Sequence, residues 1–175
     1  VCKFGGSSLA DAKQLTKVID IVLADPQRRM VVVSAPGKRN KADTKVTDLL
    51  IALAQAALDK ADTKAPLAAV VARYAAIARD LDLGAEIVKE VEADLKARLA
   101  SPKKDAGIFM DTLKAAGEDN SAKLAAAAFR KRGVKARYAS PKDTGMVLEG
   151  ESGNATLVDE SYRRLARAFS DFEGI

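Results

Sequence analysis

Apolar and polar positions along the 175-residue chain switch between two regimes. Val1 to Phe4 is a short apolar segment that stops at Gly5-Gly6. After Ser7 and Ser8 the spacing changes, with Leu15, Val18, Ile19, Ile21 and Val22 largely on one side of a 3.6-residue repeat. This predicts a helix from about Leu9 to Leu23, ended by Asp25-Pro26. Met30 to Val33 is continuous and β-branched, the pattern of a strand buried on both faces. Strand, helix and strand in this order predict a right-handed βαβ unit.

The stretch from Pro36 to Lys45 is a polar loop, and a helix is expected from near Val46 to Asp48 through Leu58. A mainly helical excursion on one side of the sheet follows at about 60–105, with a break at Leu83-Gly84. Its apolar spacing does not hold a heptad long enough for a coiled coil. After a turn at Ser101 to Ala106, two helices are expected. The first is Gly107 to Ala116, and the second is opened by Gly117 and runs over Ser121 to Lys131, with Gly133 as its C-cap. Val134 to Tyr138 and Met146 to Leu148 read as strands, and Leu157 to Phe169 as the last helix. The alternation predicts an α/β domain with a mostly parallel central sheet.

Composition changes this picture little. Hydrophobic residues make up 48% and charged residues 30%, ordinary for a soluble domain, and aromatics are scarce at 5%. The formal charge is +5, but Arg130, Lys131, Arg132 and Arg163, Arg164, Arg167 sit on helices among acids, which reads as solvated faces. No nucleic-acid partner and no membrane segment are expected. Cys2 is the one cysteine, so nothing points to an oxidising compartment, and a cytoplasmic setting is the default. With no histidine in the sequence, a histidine base and His-based zinc sites are excluded. No metal-ligand set is expected from the protein.

Lys3-Phe4-Gly5-Gly6-Ser7-Ser8 carries the strongest candidate chemistry. A strand delivers a lysine to the carboxyl edge of the sheet, and two glycines allow close backbone approach to a ligand. A helix beginning directly afterwards would aim its free N–H groups and positive dipole end at the same point. Phosphates suit such a place, with the ammonium group neutralising charge on a transferring phosphoryl. The lysine precedes the glycines, so this is not a Walker A loop, and G-x-G-x-x-G is missing too. A tight turn after a strand accounts for the glycines equally well, and the motif alone leaves both readings open.

Taken with three further motifs, this segment resembles the K-F-G-G-[ST]-S opening of aspartate kinases, members of the amino acid kinase superfamily. Val31-Val32-Val33-Ser34-Ala35 is similar to their V-V-V-S-A strand, Thr47-Asp48-Leu49-Leu50 to their T-[ND]-x-L helix start, and Gly117-Glu118 with Ser121 and Leu124 to their G-E-x-x-S-x-x-L helix. The resemblance implies a three-layer αβα fold with a mostly parallel central sheet, incomplete at the C-terminal end. It implies ATP-dependent phosphorylation of the L-aspartate side-chain carboxylate to 4-phospho-L-aspartate, the first step of lysine, threonine and methionine biosynthesis. Lys3, Phe4, Gly5, Gly6 and Ser7 would hold the ATP phosphates, with Lys3 catalytic and Mg²⁺ bound through the phosphates. Ser34, Thr47 and Glu118 would face L-aspartate, with Glu118 suited to the α-ammonium. Bland counterparts stand beside these roles: a strand-end hydroxyl for Ser34, an N-cap for Thr47, and a capping interaction near a helix start for Glu118. Carboxylate phosphorylation needs no strong base, because the acceptor is already ionised at neutral pH.

Two departures qualify the resemblance. The loop Pro36 to Val46, with Gly37, Lys38, Arg39 and Lys41, is longer and more basic than in many family members, and reads as a flap over anions or as an inert solvated loop. The chain also lacks the family's later P-G-F strand, G-R-G-G-S-D-like element and ACT regulatory domains. It is therefore expected to be the N-terminal portion of one catalytic domain, with Ile175 opening a further strand, and inactive by itself. The full-length protein is expected to be a homo-oligomer, a dimer or larger. Alternatives are an inert nucleotide- or anion-binding or subunit-interface piece, and a superfamily relative acting on glutamate or acetylglutamate.

Overall fold

The computed structural model describes residues 1–151 and 153–175. Strand β1 (Cys2–Phe4) pairs in parallel with β2 (Val31–Val33), Cys2 opposite Val31 and Phe4 opposite Val33. The Ser34 N–H extends the ladder by donating to the Phe4 carbonyl at 3.1 Å. Helix α1 (Ala12–Leu23) makes the connection and buries Leu15, Val18, Ile19 and Val22, whereas Ile21, expected on the same side, is 50% exposed. It does not start at Leu9. Gly6–Leu9 forms one 3₁₀ turn, and extended Asp11 then caps α1 by accepting from the Gln14 N–H at 2.8 Å. An aspartate carboxylate thus already occupies the N-terminal end of the α-helix expected to face a ligand.

Helices α2 (Val46–Leu58), α3 (Lys64–Asp80), α4 (Ala85–Leu99) and α5 (Ala106–Lys131) form the helical layer. Helix α2 packs on α3 and α5, and α4 on α3 and α5. The break between α3 and α4 falls where expected, with Asp82 at φ +52°. These two helices are part of the main core, because Val70, Tyr74, Ile77, Val91 and Leu95 are buried with Leu50, Leu53, Leu113 and Leu124.

Helix α5 corrects one expectation. Gly117 opens no new helix; it lies inside a single 26-residue helix. A mid-helix glycine costs about 1 kcal/mol relative to alanine, but here a side chain has no room. A Cβ on Gly117 would stand 2.7 Å from the Ala35 Cβ and 3.1 Å from Leu50 Cδ1. Close approach of α5 to the residues after β2 therefore overrides local propensity. Glu118 is consequently an exposed mid-helix residue, not one near a helix start. Gly133 does terminate α5, at φ +78°.

The strand at 30–33 is covered on one face only: Val33 is buried while Val32 is 50% exposed. Among the described residues, the expected strand Val134 to Tyr138 carries no ladder with another strand. Its one rung is made with Ile175, which donates to the Lys135 carbonyl and accepts from the Arg137 N–H, both at 2.9 Å. Those two bonds flank Ile175 as in a parallel pairing. Strand β3 (Leu148–Glu149) forms an antiparallel pair with β4 (Thr156–Leu157), followed by α6 (Asp159–Phe169). Among the described residues the sheets are therefore two separate pairs, β1–β2 and β3–β4, in place of one multi-stranded parallel sheet.

The basic runs are solvated helix faces, as expected. Lys131 pairs with Asp82, Arg132 with Asp20, and both Arg163 and Arg164 with Glu160. No helix among the described residues is long and apolar enough to cross a membrane.

Candidate functional site

Both β1 and β2 end at the same edge, and the loops leaving them meet there. The Gly37 N–H donates to the Gly6 carbonyl at 2.8 Å. Neither position tolerates a Cβ in this geometry. One on Gly37 would lie 2.6 Å from the Gly6 carbonyl carbon, and one on Gly6 would lie 2.8 Å from the Ala35 oxygen. Gly5, by contrast, has open space around its missing Cβ. The two neighbouring glycines therefore differ: Gly6 is required by backbone packing, and Gly5 leaves its surroundings clear. In parallel α/β sheets, ligands settle in the crevice outside the carboxyl ends of the strands, which is where this junction lies.

Several candidate residues converge on it. Glu118 Oε1 accepts the Ala35 N–H at 3.2 Å, tying α5 to the residue after Ser34. The Val46 N–H donates to the Pro36 carbonyl at 3.0 Å, which sets the start of α2, and with it half-buried Thr47, against the same loop. Thr47 lies in the first turn of α2, inside the helix, so it is not the N-cap; that position belongs to Lys45. Lys3 lies on β1 opposite Val32 with an exposed side chain, Phe4 and Ser34 are half-buried, and Ser7 is exposed in the 3₁₀ turn. The backbone thus brings Gly6, Ala35 to Gly37, Val46 and Glu118 into one cluster, with Ser34 and Thr47 adjoining it in sequence and Lys3, Phe4 and Ser7 flanking Gly5-Gly6.

The basic loop is folded back on itself. Arg39 clasps Asp43 with Nε at 2.8 Å and Nη2 at 2.9 Å, while Lys38 and Lys41 stay exposed. Asp43 also receives the Arg73 guanidinium at 2.8 Å. The Arg39 hydrogen bonds, aided by the Arg73 charge and opposed by burial, hold the Asp43 carboxyl well below the usual carboxylate range. Burial, together with the charge of Arg39, lowers the pKa of Arg73, although a guanidinium remains protonated at any ordinary pH.

Three residues around the junction are not marked by any sequence motif: Asp43, Arg73 and Tyr74. Tyr74 is buried and donates its hydroxyl to the Gly117 carbonyl at 2.8 Å. Burial, with the negative charges of Glu118 and Asp94, pushes its phenol far above the ordinary range. A signal existed for Arg73. Arg73 sits between Val70 and Ile77 on the helical apolar stripe, where a charged side chain is buried only if paired.

Beyond the junction, a cavity of about 620 Å³ lies between β2, α5, residues 136–146 and α6, with Val33, Ala126, Tyr138 and Phe169 among its walls. At its polar edge Asp119 accepts from the Tyr138 hydroxyl at 3.0 Å and is paired with Arg98. Burial first, and then the Asp119 carboxylate, push the Tyr138 phenol up to about 12. No group of three or more potential metal-ligating side chains occurs among the described residues.

Comparison with known proteins gives consistent relatives. The family model described as the amino acid kinase family matches residues 1–170. Aspartokinase 3 of Bacillus subtilis is 52% identical over 167 residues, covering 95% of this chain. Among solved structures, E. coli aspartokinase III in complex with aspartate and ADP superposes with a TM-score of 0.73 at 26% identity over 95% of this chain. The aspartate kinase of Clostridium acetobutylicum gives a TM-score of 0.62 at 30% identity over 74% of it. The chain spans only 37%, 36% and 29% of the lengths of these three proteins, respectively.

Proposed function

The chain belongs to the amino acid kinase family, and on that premise we propose that it forms the phosphate-holding part and a share of the acceptor-binding part of an aspartate kinase. The complete catalytic domain, of which residues 1–175 would be the N-terminal portion, is taken to be a three-layer αβα structure. Its reaction is transfer of the ATP γ-phosphoryl to the side-chain carboxylate of L-aspartate, carried out in the cytoplasm as a step of amino-acid biosynthesis. The observation that carries this reading is the Gly6–Gly37 junction, where two loops meet too closely for side chains at the carboxyl edge of β1 and β2.

The chemistry asks for placement and charge screening more than for acid–base work. Open backbone at Gly5 and the 3₁₀ turn after it offer N–H groups to phosphate oxygens, and Lys3 beside them supplies the positive charge. Mg²⁺ would be held through the phosphates of ATP, whose charge it partly neutralises. Glu118 has one oxygen committed to the Ala35 N–H, and its second oxygen can accept from the α-ammonium of aspartate. Ser34 and Thr47 flank the same loop and offer hydroxyls to the acceptor. In the full-length protein a homo-oligomer is expected.

Titration calorimetry of MgATP into the chain tests this. Losing a charged hydrogen-bond donor costs about 1.5–3 kcal/mol, so Lys3→Ala is expected to weaken MgATP roughly ten- to a hundredfold. Equal affinity in the two proteins would sink the assignment of Lys3. Because the chain spans a minor share of its relatives, aspartate-dependent turnover is expected only from the longer protein.

A further inference from the structure

Arg73 is a buried charge on α3, 6% exposed, whose hydrogen bonds go to the loops of the glycine junction and not to its own helix. Its Nη1 donates to Asp43 Oδ2 and to the Thr44 carbonyl, both at 2.8 Å. Its Nη2 donates to the Gly37 carbonyl at 2.8 Å and to the Ala10 carbonyl at 3.3 Å. One planar guanidinium therefore joins the end of the 3₁₀ turn, the loop after β2 and the segment just before α2. Those three pieces have no other common partner among the described residues that the hydrogen bonds reveal.

A buried arginine is costly unless its donors are met, and removing carbonyl partners from it would be costly too. The arrangement also has a directional effect. Among the described residues there are no cis peptide bonds, so a carbonyl held by Arg73 forces the N–H of the same trans peptide to point the opposite way. Holding Gly37 O thus turns the Lys38 N–H away from the buried guanidinium, on a residue that is itself exposed. The Gly37 N–H, on the preceding peptide, remains free to close on Gly6.

We propose that Arg73 is a positioning residue for the nucleotide-phosphate loop: it locks the Ala10, Gly37 and Thr44 peptides so that the Gly6–Gly37 junction is formed before ligand arrives. This rests on the reading of that junction as a phosphate site. Lysine cannot substitute, because an ammonium is a point donor and cannot span four acceptors with the fixed fork of a guanidinium. If the loop's competent population falls to about a tenth, the apparent affinity falls about tenfold.

Arg73→Lys and Arg73→Met are compared with wild type in the full chain, by urea unfolding, native-state amide exchange and MgATP titration. The expected result for Arg73→Lys is exchange at the Gly37 and Val46 amides at least about tenfold faster, with core amides of α4 unchanged, and MgATP bound about tenfold more weakly. Unchanged exchange at Gly37 in both variants overturns the proposal. So does acceleration of equal size at α4, or failure of both variants to fold, since either makes the role one of general stability. If wild type does not bind MgATP, the nucleotide reading falls for this chain, while local acceleration at Gly37 still establishes Arg73 as the device that orders the loop.

Discussion

Replacing Gly37 by alanine puts the close approach of the two loops to a direct test. The added Cβ would lie 2.6 Å from the Gly6 carbonyl carbon, 2.8 Å from its oxygen and 2.9 Å from the Ser7 nitrogen. All three are backbone atoms, so no side chain can swing aside and the loops must separate. Separation sacrifices the 2.8 Å bond from the Gly37 N–H to the Gly6 carbonyl, worth about 1 kcal/mol net. Overpacking adds about 1–3 kcal/mol, and restricting the unfolded chain returns about 0.4–1 kcal/mol. The expected loss is about 2 kcal/mol. Gly5→Ala is the control, since nothing among the described residues lies within 4 Å of its missing Cβ; it should stay within about 0.5 kcal/mol of wild type, the usual range for a site without such features. Urea unfolding followed by circular dichroism measures both, with the slope of the transition confirming that the unfolded states are comparable. Gly37→Ala as stable as wild type, or Gly5→Ala as damaging as Gly37→Ala, would refute the argument.

Asp43 has its carboxyl pKa depressed by folding, so its contribution is fully present above the unfolded value near 4. It is lost as pH falls through the lower folded value. Stability of wild type should therefore fall more steeply below about pH 4 than that of Asp43→Asn, which urea titrations across pH 2–5 would reveal; parallel curves would remove the carboxylate from the explanation. Tyr74→Phe deletes the hydroxyl donated to the Gly117 carbonyl and should cost about 1 kcal/mol with little change in helix content, and a variant as stable as wild type would show that bond to be inconsequential.

Much of the local structure was legible. The helices α1, α2 and α6, the break between α3 and α4, and the glycine that closes α5 all depend on neighbours a few residues apart, which periodicity and caps report. The cluster of motif residues was legible in outline too: Gly6, Ser34, Thr47 and Glu118 do gather around one loop or adjoin it. Gly117 inside α5 runs against local preference, because mid-helix glycine is unfavourable, and only the approach of Ala35 from elsewhere in the chain explains it. The segment at 134–138 differs from its expected strand for a related reason. Its sequence suits extended backbone, but a strand exists only where a partner supplies hydrogen bonds, and here the rung comes from Ile175 alone among the described residues.

By itself, then, the sequence determined the order and kind of most elements and the segment that carries the glycines, since these depend on short-range stereochemistry. Tertiary structure decided which glycine is indispensable, that α5 runs unbroken, and that Arg73 and Tyr74 on α3 brace the loops and the helix around the site. Those features depend on atoms tens of residues apart coming within hydrogen-bond or van der Waals distance, and no local pattern encodes that meeting.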